Sequence, residues 1–321
     1  MKEFQLIRQI QRETAVSFSS DCDHGVRLGI GDDAAVLEIP AGQHLVAATD
    51  TLNAGVHFPV DTSAFDIAYK CLAVNLSDLA AMGATPHWAL LSLSLPEADE
   101  EWVQSFAAGF KSLAQVHGVT LVGGDTTRGP LSISLTALGS IEPGRQLTRS
   151  GAKPGDLLIV SGTIGGASRA LDLLQAGEPA IGQDLLDRPH PRVKLGQALV
   201  NYANACIDIS DGLLADLGHV LKASGCGARI KIDKLPYAES LAELEDSARW
   251  NYQLSGGDDY ELLFTLPPHH KVLLATWSQQ LDIELSIIGE IEEGEGVRCI
   301  SPDGTIYDPQ KAGFEHFSQK P

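Results

Sequence analysis

Aspartates are the side chains of this sequence best placed to do chemistry. They stand in Gly-rich turns or after short apolar stretches, at Asp32, Asp33, Asp50, Asp78, Asp125, Asp208, Asp211, Asp258 and Asp259. An Asp in a turn usually hydrogen-bonds its own backbone, so each position alone is a weak signal. Carboxylates roughly 4 Å apart would repel by about 4 kcal/mol per pair at an effective dielectric near ~20. We therefore expect a cation wherever several of them converge.

The donor atoms indicate which cation this would be. The sequence has neither a Cys cluster nor a His pair with metal-ligand spacing, so the ligands are hard oxygens and Mg²⁺ is the natural ion. Magnesium held by few carboxylates shares its other positions with water and phosphate, which indicates phosphoryl transfer from a nucleotide. There is no Gly-Lys-Ser/Thr loop and no His-Arg-Asp loop, which excludes the commonest nucleotide-binding enzymes.

One stretch, Ser63–Ala84, is predicted to be the helix that carries Asp78. Its apolar residues recur at helical spacing, Asp61, Thr62 and Ser63 offer N-cap oxygens, and Gly83 is a natural stop. A carboxylate in the last turns of a helix is disfavoured by about 0.3–1 kcal/mol. Asn75 and Ser77 add polar atoms to an otherwise apolar helix, and a cation at this helix end would explain all three residues. A solvated Asp on a fraying terminus is the alternative.

Short strands are predicted to position the other carboxylates. Asp50 comes at the end of the apolar stretch 45–52, and Asp125 follows 120–122 in a Gly-Gly-Asp turn. Asp208 ends a third apolar stretch. Because sheet edges of this kind are where such domains place ligands, we expect these carboxylates to project beyond the ends of their strands.

Composition excludes several classes of protein. A formal net charge of −19 over 321 residues argues against a nucleic-acid or an anionic-membrane partner. Five scattered cysteines without a CxxC pair fit a reducing compartment. The N-terminal stretch is polar and amphipathic, unlike a signal peptide, and no apolar run is long enough to span a bilayer. We expect a soluble cytoplasmic protein.

The predicted fold class is α+β in two domains. Strands alternate with helices, but several neighbouring strands look antiparallel, and the length suits two cores. The turn-rich segment Arg149–Asp156 reads as a linker. We therefore place the domains at 1–149 and 150–321.

Eight blocks of sequence, read in order, carry a resemblance to a known family: GIGDDAAVL, TDTLNAGVHF, NLSDLAAMGATP, VGGDTTRG, LTRSGAKPGD, DISDGLLADLG, SGGDDYELLFT and GFEHF. Together they cover nearly the whole chain, and NLSDLAAMGA with DISDGL is the most specific pair. The chain resembles the thiamine-monophosphate kinases, which share a superfamily with aminoimidazole ribonucleotide synthetase and selenophosphate synthetase.

The resemblance implies an activity and an architecture. The activity is a transferase reaction, the ATP-dependent phosphorylation of thiamine phosphate to thiamine diphosphate, with several Mg²⁺ ions bridging the phosphates. The architecture is an aminoimidazole ribonucleotide synthetase-like fold. Its N-terminal domain has a mixed sheet, binds ATP and Mg²⁺ and forms a homodimer through its strands. Its C-terminal α/β domain completes the nucleotide and substrate site.

The resemblance also implies site residues, block by block. The implied metal ligands are Asp32, Thr49, Asp50, Asp78, Asp125, Asp208 and Asp211. The implied ATP contacts are Gly124, Asp125, Arg149 and Ser210, and the implied thiamine phosphate contacts are His57, Asp258 and Phe314. Of these residues, Asp78, Asp125 and Arg149 are expected to be catalytic.

Two positions depart from the family pattern. Ala48 stands where the family often has Ser or Thr, so any metal contact there must use the backbone carbonyl or is lost. Asp258 stands where the family usually has Glu, so its carboxylate is one methylene short. Glu261 would compensate only if it pointed the same way.

The expected mechanism needs no general base, because the phosphate oxygen of thiamine phosphate is already ionised at neutral pH. Cations and Arg149 would instead screen the two polyanions and align an in-line attack, without a phospho-enzyme. Two alternatives stay open at this point. One is a sister synthetase of the aminoimidazole ribonucleotide or selenophosphate type, and the other is a non-catalytic module that binds divalent cations.

Overall fold

The computed structural model describes residues 3–15, 25–309 and 313. Phe314, an implied substrate contact, lies outside the described residues. The chain divides into two compact units, residues 1–79 with 84–146 and residues 80–83 with 147–321.

The first unit is built around a small sheet. Along the chain its elements are α1 (Glu3–Thr14), β1 (Val26–Leu28), β2 (Val36–Leu37), β3 (His44–Asn53), α2 (Ala64–Ala81), β4 (Thr85–Leu95), α3 (Glu100–His117), β5 (Thr120–Arg128) and β6 (Ser132–Ile141). The sheet order is β3-β6-β4-β5, with β4 and β5 parallel and the other pairs antiparallel. The short β1 and β2 pair with each other as a separate ribbon.

Two carboxylates lie inside strands rather than beyond their ends, so that prediction is wrong for them. Asp50 pairs with Leu135 in the middle of the β3–β6 ladder, and Asp125 pairs with Ser92 within β5. Paired residues share a face of a sheet, and the register joins Asp125 through Ser92 and Ser134 to Thr51. Asp50 and Asp125 therefore belong to opposite faces of this sheet.

The helix that carries Asp78 begins and ends close to where the sequence predicts. The Ser63 hydroxyl accepts the Asp66 backbone N–H at 3.1 Å and donates to the Asp66 carboxylate at 2.6 Å, which caps the first turn. At the other end Gly83 has φ +73°, and the N–H of Ala84 bonds to the Leu79 carbonyl. A residue with a side chain at position 83 would strain this stop.

Local signals mark both ends of the amphipathic helix α3. Asp99 caps α3 by accepting the backbone N–H groups of Glu101 and Trp102, and Gly118 ends it at φ +68°. Gly109 in its middle faces the backbone of Phe65, where an added Cβ would lie 2.0 Å from the carbonyl oxygen. The closeness of α2 and α3 therefore depends on a missing side chain.

The second unit contains a larger sheet and most of the helices. Its elements are β7 (Leu157–Ser161), α4 (Gly166–Gln175), α5 (Gln183–Asp187), α6 (Val193–Leu199), β8 (Ala205–Asp208), α7 (Leu213–Ser224), β9 (Gly227–Lys231), α8 (Asp246–Ser255), β10 (Leu262–Leu266), α9 (Val272–Leu281), β11 (Leu285–Glu292), β12 (Gly296–Ile300) and β13 (Ile306–Tyr307). Short 3₁₀ turns lie at 232–234, 239–241 and 268–270.

Its seven strands run in the order β13-β12-β9-β11-β7-β10-β8. Only β9 and β12 pair in parallel. Buried aliphatic residues of β7, β8, α7 and β9 form the core beneath them. Strand β8 is the last in the order, and it ends at Asp208, as predicted. The mixture of sheets and helices in both units confirms the predicted α+β class. Among the described residues, no helix combines the length and apolar character that crossing a membrane requires.

Replacing Gly109 by Ala tests the close approach of α2 and α3. We expect Gly109→Ala to lower the free energy of unfolding by about 1–3 kcal/mol, because the new methyl group meets the Phe65 backbone. Chemical denaturation measures the change.

The matched control is Gly218→Ala in α7, where an added Cβ meets nothing within 4 Å. It should stabilise the protein by about 0.5–1 kcal/mol through helix propensity. Equal effects at the two positions would contradict the packing argument.

Candidate active site

A cavity of about 940 Å³ lies in the first unit. Its walls are α1, the segment 29–37 and residues of β4 and β5. Asp32, Gly124 and Asp125 line it, so the fold brings together three predicted residues that are far apart in the sequence. Its volume lies at the upper end of what small-molecule sites usually have, which suits a ligand the size of a nucleotide.

Residues 121–126 of β5 line the cavity, and two of them, Gly123 and Gly124, contribute only main chain. Gly124 has φ +146°, and a Cβ there would lie 1.8 Å from the Leu91 carbonyl oxygen. Gly123 and Gly124 allow β5 to continue beside β4, although the sequence analysis predicts a turn at these residues. Strand β5 is the last in the order of its sheet, so one edge of its backbone has no neighbouring strand in that sheet.

A second cluster lies on the face of the same sheet that carries Asp50, where α2 packs. The Asp50 and Asp78 side chains are hydrogen-bonded to each other, and His57 is close enough for its charge to act on Asp50. Burial raises the pKa of the Asp50 carboxyl, while His57 and the bond to Asp78 act in the opposite direction. The Nδ1 atom of His57 accepts the backbone N–H of Asn53 at 3.0 Å, which orients the ring.

The donor set of this cluster fits a hard divalent cation. Two acidic side chains in contact at a partly buried position offer the oxygen ligands that a hard divalent cation takes. Nearby on α2, the Asn75 amide oxygen is buried without a hydrogen-bond partner among the described residues. Across those same residues, no group of three or more His, Cys, Asp or Glu side chains could hold a metal ion. Water and phosphate would therefore have to supply the other ligands.

In the second unit, three predicted residues lie close together in the sequence. Asp208 is the last residue of β8, and Ser210 and Asp211 lie in the turn between β8 and α7. A single carboxylate holds this turn, because Asp216 Oδ2 accepts the backbone N–H groups of Ser210, Asp211 and Gly212 at 3.0, 3.1 and 3.2 Å. Burial raises the pKa of Asp216 to about 7. The charges of Asp208 and Asp211 add to the rise, and the backbone bonds oppose it.

The loop that carries Asp258 is tied to this turn by main-chain bonds. The N–H of Asp258 bonds to the Ser210 carbonyl at 2.9 Å, and the N–H of Tyr260 bonds to the Ile209 carbonyl at 2.8 Å. Asp258 and Tyr260 have φ +68° and +52°, which side-chain-bearing residues rarely adopt. The Tyr260 hydroxyl donates to Asp258 Oδ1 at 3.1 Å, so the strained loop presents an oriented carboxylate.

A buried ion pair supports the loop at its end. The Glu261 carboxylate accepts Arg192 Nε at 2.7 Å and the Ser161 hydroxyl at 2.5 Å, and Arg192 Nη2 contacts its other oxygen. Burial raises the pKa of Glu261, and Arg192 opposes that rise. The Glu261 carbonyl also accepts the backbone N–H of Ile209, so the Arg192–Glu261 pair is linked to the end of β8.

The Gly-rich segment at 163–166 starts a helix. The Asp259 carboxylate accepts the Gly165 N–H through both oxygens, at 3.0 and 2.9 Å, and thus occupies the N-terminus of α4. Burial raises the pKa of Asp259 well above its usual range.

Two predicted residues lie apart from these clusters. The Thr49 hydroxyl bonds to Thr136 and to the Leu135 carbonyl on the exposed face of β3 and β6. Arg149 is exposed, and its carbonyl accepts the Ser224 hydroxyl at 3.3 Å at the end of α7.

The described residues therefore place the predicted site in separate groups. The cavity has Asp32, Gly124 and Asp125; the α2 face has Asp50, His57 and Asp78; the second unit has Asp208, Ser210, Asp211 and Asp258. That all of them meet in one pocket stays a prediction.

Comparisons with known proteins identify the family. The model of the AIR synthase related protein, N-terminal domain, matches residues 31–141, and the model of the C-terminal domain matches residues 153–301. The thiamine-monophosphate kinase of Escherichia coli K12 is 46% identical over 303 residues, covering 91% of this chain and 93% of that protein. The chain belongs to the thiamine-monophosphate kinase family.

Solved structures of this family share the fold. The crystal structure of thiamine-monophosphate kinase from Stenotrophomonas maltophilia K279a has a TM-score of 0.86 and 47% identity, covering 96% of this chain and 98% of that one. The structure of AaThiL complexed with AMPPCP and TMP has a TM-score of 0.75 and 32% identity, covering 94% and 100%. Hydrogenase maturation protein HypE in complex with ATP has a TM-score of 0.78 at 19% identity, covering 96% and 94%, which shows a common fold alone.

The two departures from the thiamine-monophosphate kinase pattern can now be placed. Glu261 does not compensate for the shorter side chain of Asp258, because Arg192 and Ser161 occupy its carboxylate. Ala48 lies in β3 two residues before Asp50 and on the same face, so this position offers no side-chain hydroxyl there.

Sequence reasoning missed three supporting residues of this kinase-family site. Asp216 reads as an ordinary acidic residue in the first turn of a helix, and its position four residues after Gly212 was the available signal. Arg192 and Glu261 are 69 positions apart, and no local sequence pattern in either segment predicts that they pair.

Substituting Asp216 tests how the turn at 210–212 is held. Asp216→Ala leaves three backbone N–H groups without their acceptor and should destabilise the protein by about 1–3 kcal/mol or more. Asp216→Asn keeps an acceptor oxygen and should retain most of the stability.

The two side chains also predict different responses to pH. The native pKa of about 7 lies above the ordinary 3.8, so native Asp216 binds its proton more tightly than the unfolded chain does. In EDTA, the wild type should lose stability relative to Asp216→Asn as the pH rises from about 4 to about 7. Urea denaturation at several pH values measures this, and parallel curves would contradict the assignment.

Proposed function

We propose that this protein phosphorylates thiamine phosphate to thiamine diphosphate with ATP as the phosphoryl donor. The observation that carries the proposal is identity of 46% with a thiamine-monophosphate kinase along 91% of the chain. The structure of AaThiL complexed with AMPPCP and TMP, 32% identical, supports the same pair of substrates. The cavity beside Gly124 and Asp125 is large enough for a nucleotide.

The chain's residues would act by binding and alignment. The backbone of Gly124 lines the cavity, and backbone N–H groups are good partners for phosphate oxygens. Arg149 is exposed and has a forked guanidinium that can hold two phosphate oxygens. The turn at Ser210 and the oriented carboxylate of Asp258 would position the nucleotide and thiamine phosphate. No residue is needed as a base, because the attacking phosphate oxygen is already ionised.

Magnesium, when bound, neutralises phosphate charge and aligns the in-line transfer. The residues that would hold it are the implied ligands, which are Asp32, Thr49, Asp50, Asp78, Asp125, Asp208 and Asp211. The contact between Asp50 and Asp78 supports this role, since paired acidic side chains in a partly buried position suit a cation. His57 beside the pair would contact thiamine phosphate.

Sister synthetases and a non-catalytic cation-binding module are the competing functions. A coupled assay that offers thiamine phosphate, selenide or formylglycinamidine ribonucleotide with ATP separates the sister enzymes. A binding module would be stabilised by Mg²⁺ without hydrolysing ATP, and it would leave the oriented loop at Asp258 without a use.

Thermal shifts measured with ATP, thiamine phosphate and Mg²⁺, singly and combined, test the proposal directly. Each ligand that binds the folded protein raises its Tm. We expect Mg²⁺ to increase the shift given by ATP, because one site binds both. Independent, additive shifts would contradict a shared site.

Asp78→Asn tests the cation-binding cluster. We expect turnover of ATP with thiamine phosphate to fall at least about 100-fold, because the change removes a charge that the cation needs. The Tm without ligands should not fall. The matched control is Asp282→Asn at an exposed left-handed position that Asn also adopts, where full activity is expected. Wild-type turnover by Asp78→Asn would overturn the role of Asp78.

We propose that the N-terminal domain, 1–149, binds ATP and Mg²⁺ and also forms a homodimer, while 150–321 completes the site. Strand β3 supports the dimer proposal, because it is the outer strand of its sheet and has ten residues. Leu45, Ala47, Thr49 and Thr51 are exposed on one face of it, with Leu45 at 52%. A long exposed edge strand is a ready surface for pairing with a second copy.

Leu45→Lys should convert the dimer to a monomer, because it places a charge on that face. Size-exclusion chromatography with light scattering measures the mass. Val116→Lys on α3 is the control, since Val116 is 70% exposed outside the sheet and its variant should stay dimeric. A wild-type monomer, or a dimeric Leu45→Lys, would contradict the interface.

We propose a cytoplasmic location. Cys71, Cys206, Cys226 and Cys299 are free and buried, which suits a reducing compartment.

A further inference from the structure

The side chain of Asn75 on α2 is completely buried and only half satisfied. Its Nδ2 donates to the Cys71 carbonyl of the preceding turn at 3.0 Å. Its amide oxygen, Oδ1, has no hydrogen-bond partner among the described residues, and the residue is 0% exposed. Leaving a buried acceptor unpaired is costly to stability, so the position calls for an explanation.

The position of Asn75 on the helix relates it to the acidic pair. Cys71, Asn75 and Asp78 are spaced four and three residues apart, which places them along one stripe of α2. The residues at both ends of this stripe, Cys71 and Asp78, interact with Asp50. The Asp78 side chain is hydrogen-bonded to it, and the charge of Asp50 raises the pKa of the Cys71 thiol, after burial. Asn75 therefore lies between two side chains that interact with Asp50.

Ser77 provides a natural comparison. It is also 0% exposed, and its hydroxyl also lacks a partner among the described residues. It is two residues from Asn75, about 200° around the helix, and so belongs to the opposite side of α2. Any effect of a buried, unpaired oxygen in general is shared by both residues, but only Asn75 is on the Asp50 stripe.

The acidic pair itself leaves room for another oxygen. Two carboxylates cannot complete the shell of a divalent cation, and no third His, Cys, Asp or Glu joins them among the described residues. Magnesium keeps several of its waters, and each of those waters needs an acceptor. A neutral amide oxygen is a suitable acceptor, because it adds no further charge to a crowded acidic site.

We infer that Asn75 is a positioning residue for the cation at Asp50 and Asp78, where its amide oxygen accepts a hydrogen bond from a cation-bound water. The inference rests on the proposed function, which supplies the cation. It assigns the unpaired oxygen a partner that arrives with the ligand. The residue then lowers the stability of the free protein and raises that of the loaded one.

Thermal unfolding of Asn75→Leu, with and without ligands, tests this. Without metal, in EDTA, the Tm should rise by about 2–4 °C, because a near-isosteric apolar side chain replaces an unsatisfied amide. In a titration with Mg²⁺ and a non-hydrolysable ATP analogue at constant ionic strength, the Mg²⁺ concentration for half-maximal stabilisation should rise at least about tenfold. Asn75→Ala, which also lacks the oxygen, should show the same loss of response even if Leu packs poorly.

Ser77→Ala is the matched control. It removes an unpaired oxygen from the other side of the helix, so it should not lower the Tm in EDTA and should leave the Mg²⁺ titration unchanged. A wild-type titration in both Asn75 variants overturns the inference alone. An equal loss of response in Ser77→Ala overturns it too, because the effect would then belong to the helix end in general. A wild-type protein that gains nothing from Mg²⁺ and the analogue overturns the proposed function, and this inference with it.

Discussion

Burying carboxylates is the constraint on which this structure depends. A chain with a formal net charge of −19 places several acidic side chains out of water, where an unpaired charge is very costly. Each is compensated by a different device. Asp216 accepts three backbone N–H groups, Glu261 is held by Arg192 and Ser161, Asp259 caps a helix, and Asp50 bonds to Asp78. The first three devices are complete within the chain. The Asp50–Asp78 pair is the exception, since each of its side chains is bonded to another acid.

The compensated carboxylates and the Asp50–Asp78 pair serve different purposes. Asp216 Oδ2 accepts three backbone N–H groups, and both oxygens of Glu261 are bonded to Arg192 or Ser161. Between them, these two residues hold the turn at 210–212 and the end of β8, so they act as scaffold. Asp258 differs from them, because its carboxylate is not part of the scaffold but is itself held in place by a left-handed backbone and by the Tyr260 hydroxyl. Asp216 and Glu261, which are bonded within the chain, thus fix the local geometry. Asp50, Asp78 and Asp258 are the carboxylates proposed to bind a cation or a substrate.

Local chemistry allowed much of the fold to be predicted. The Asp99 cap and Gly118 stop set the bounds of α3, and Ser63 and Gly83 did the same for α2. The error at Asp125 has a physical cause. Gly-Gly-Asp is typical of a turn, but the absence of a Cβ at Gly124 lets β5 stay beside β4, and the parallel ladder continues through it. Arg192 and Glu261 were beyond prediction because their contact exists only in three dimensions, whereas the acidic ligands were predicted from the family resemblance.

The closeness of Gly124 to the Leu91 carbonyl has a consequence for how this protein can change over evolutionary time. A wall made of peptide groups presents the same polar pattern whatever side chains surround it. At this point the wall also rejects every other amino acid, because any Cβ would collide with the neighbouring strand. A ligand that contacts Gly124 is therefore bound at a place where genetic drift has no neutral step available, for a reason that is steric and independent of the ligand.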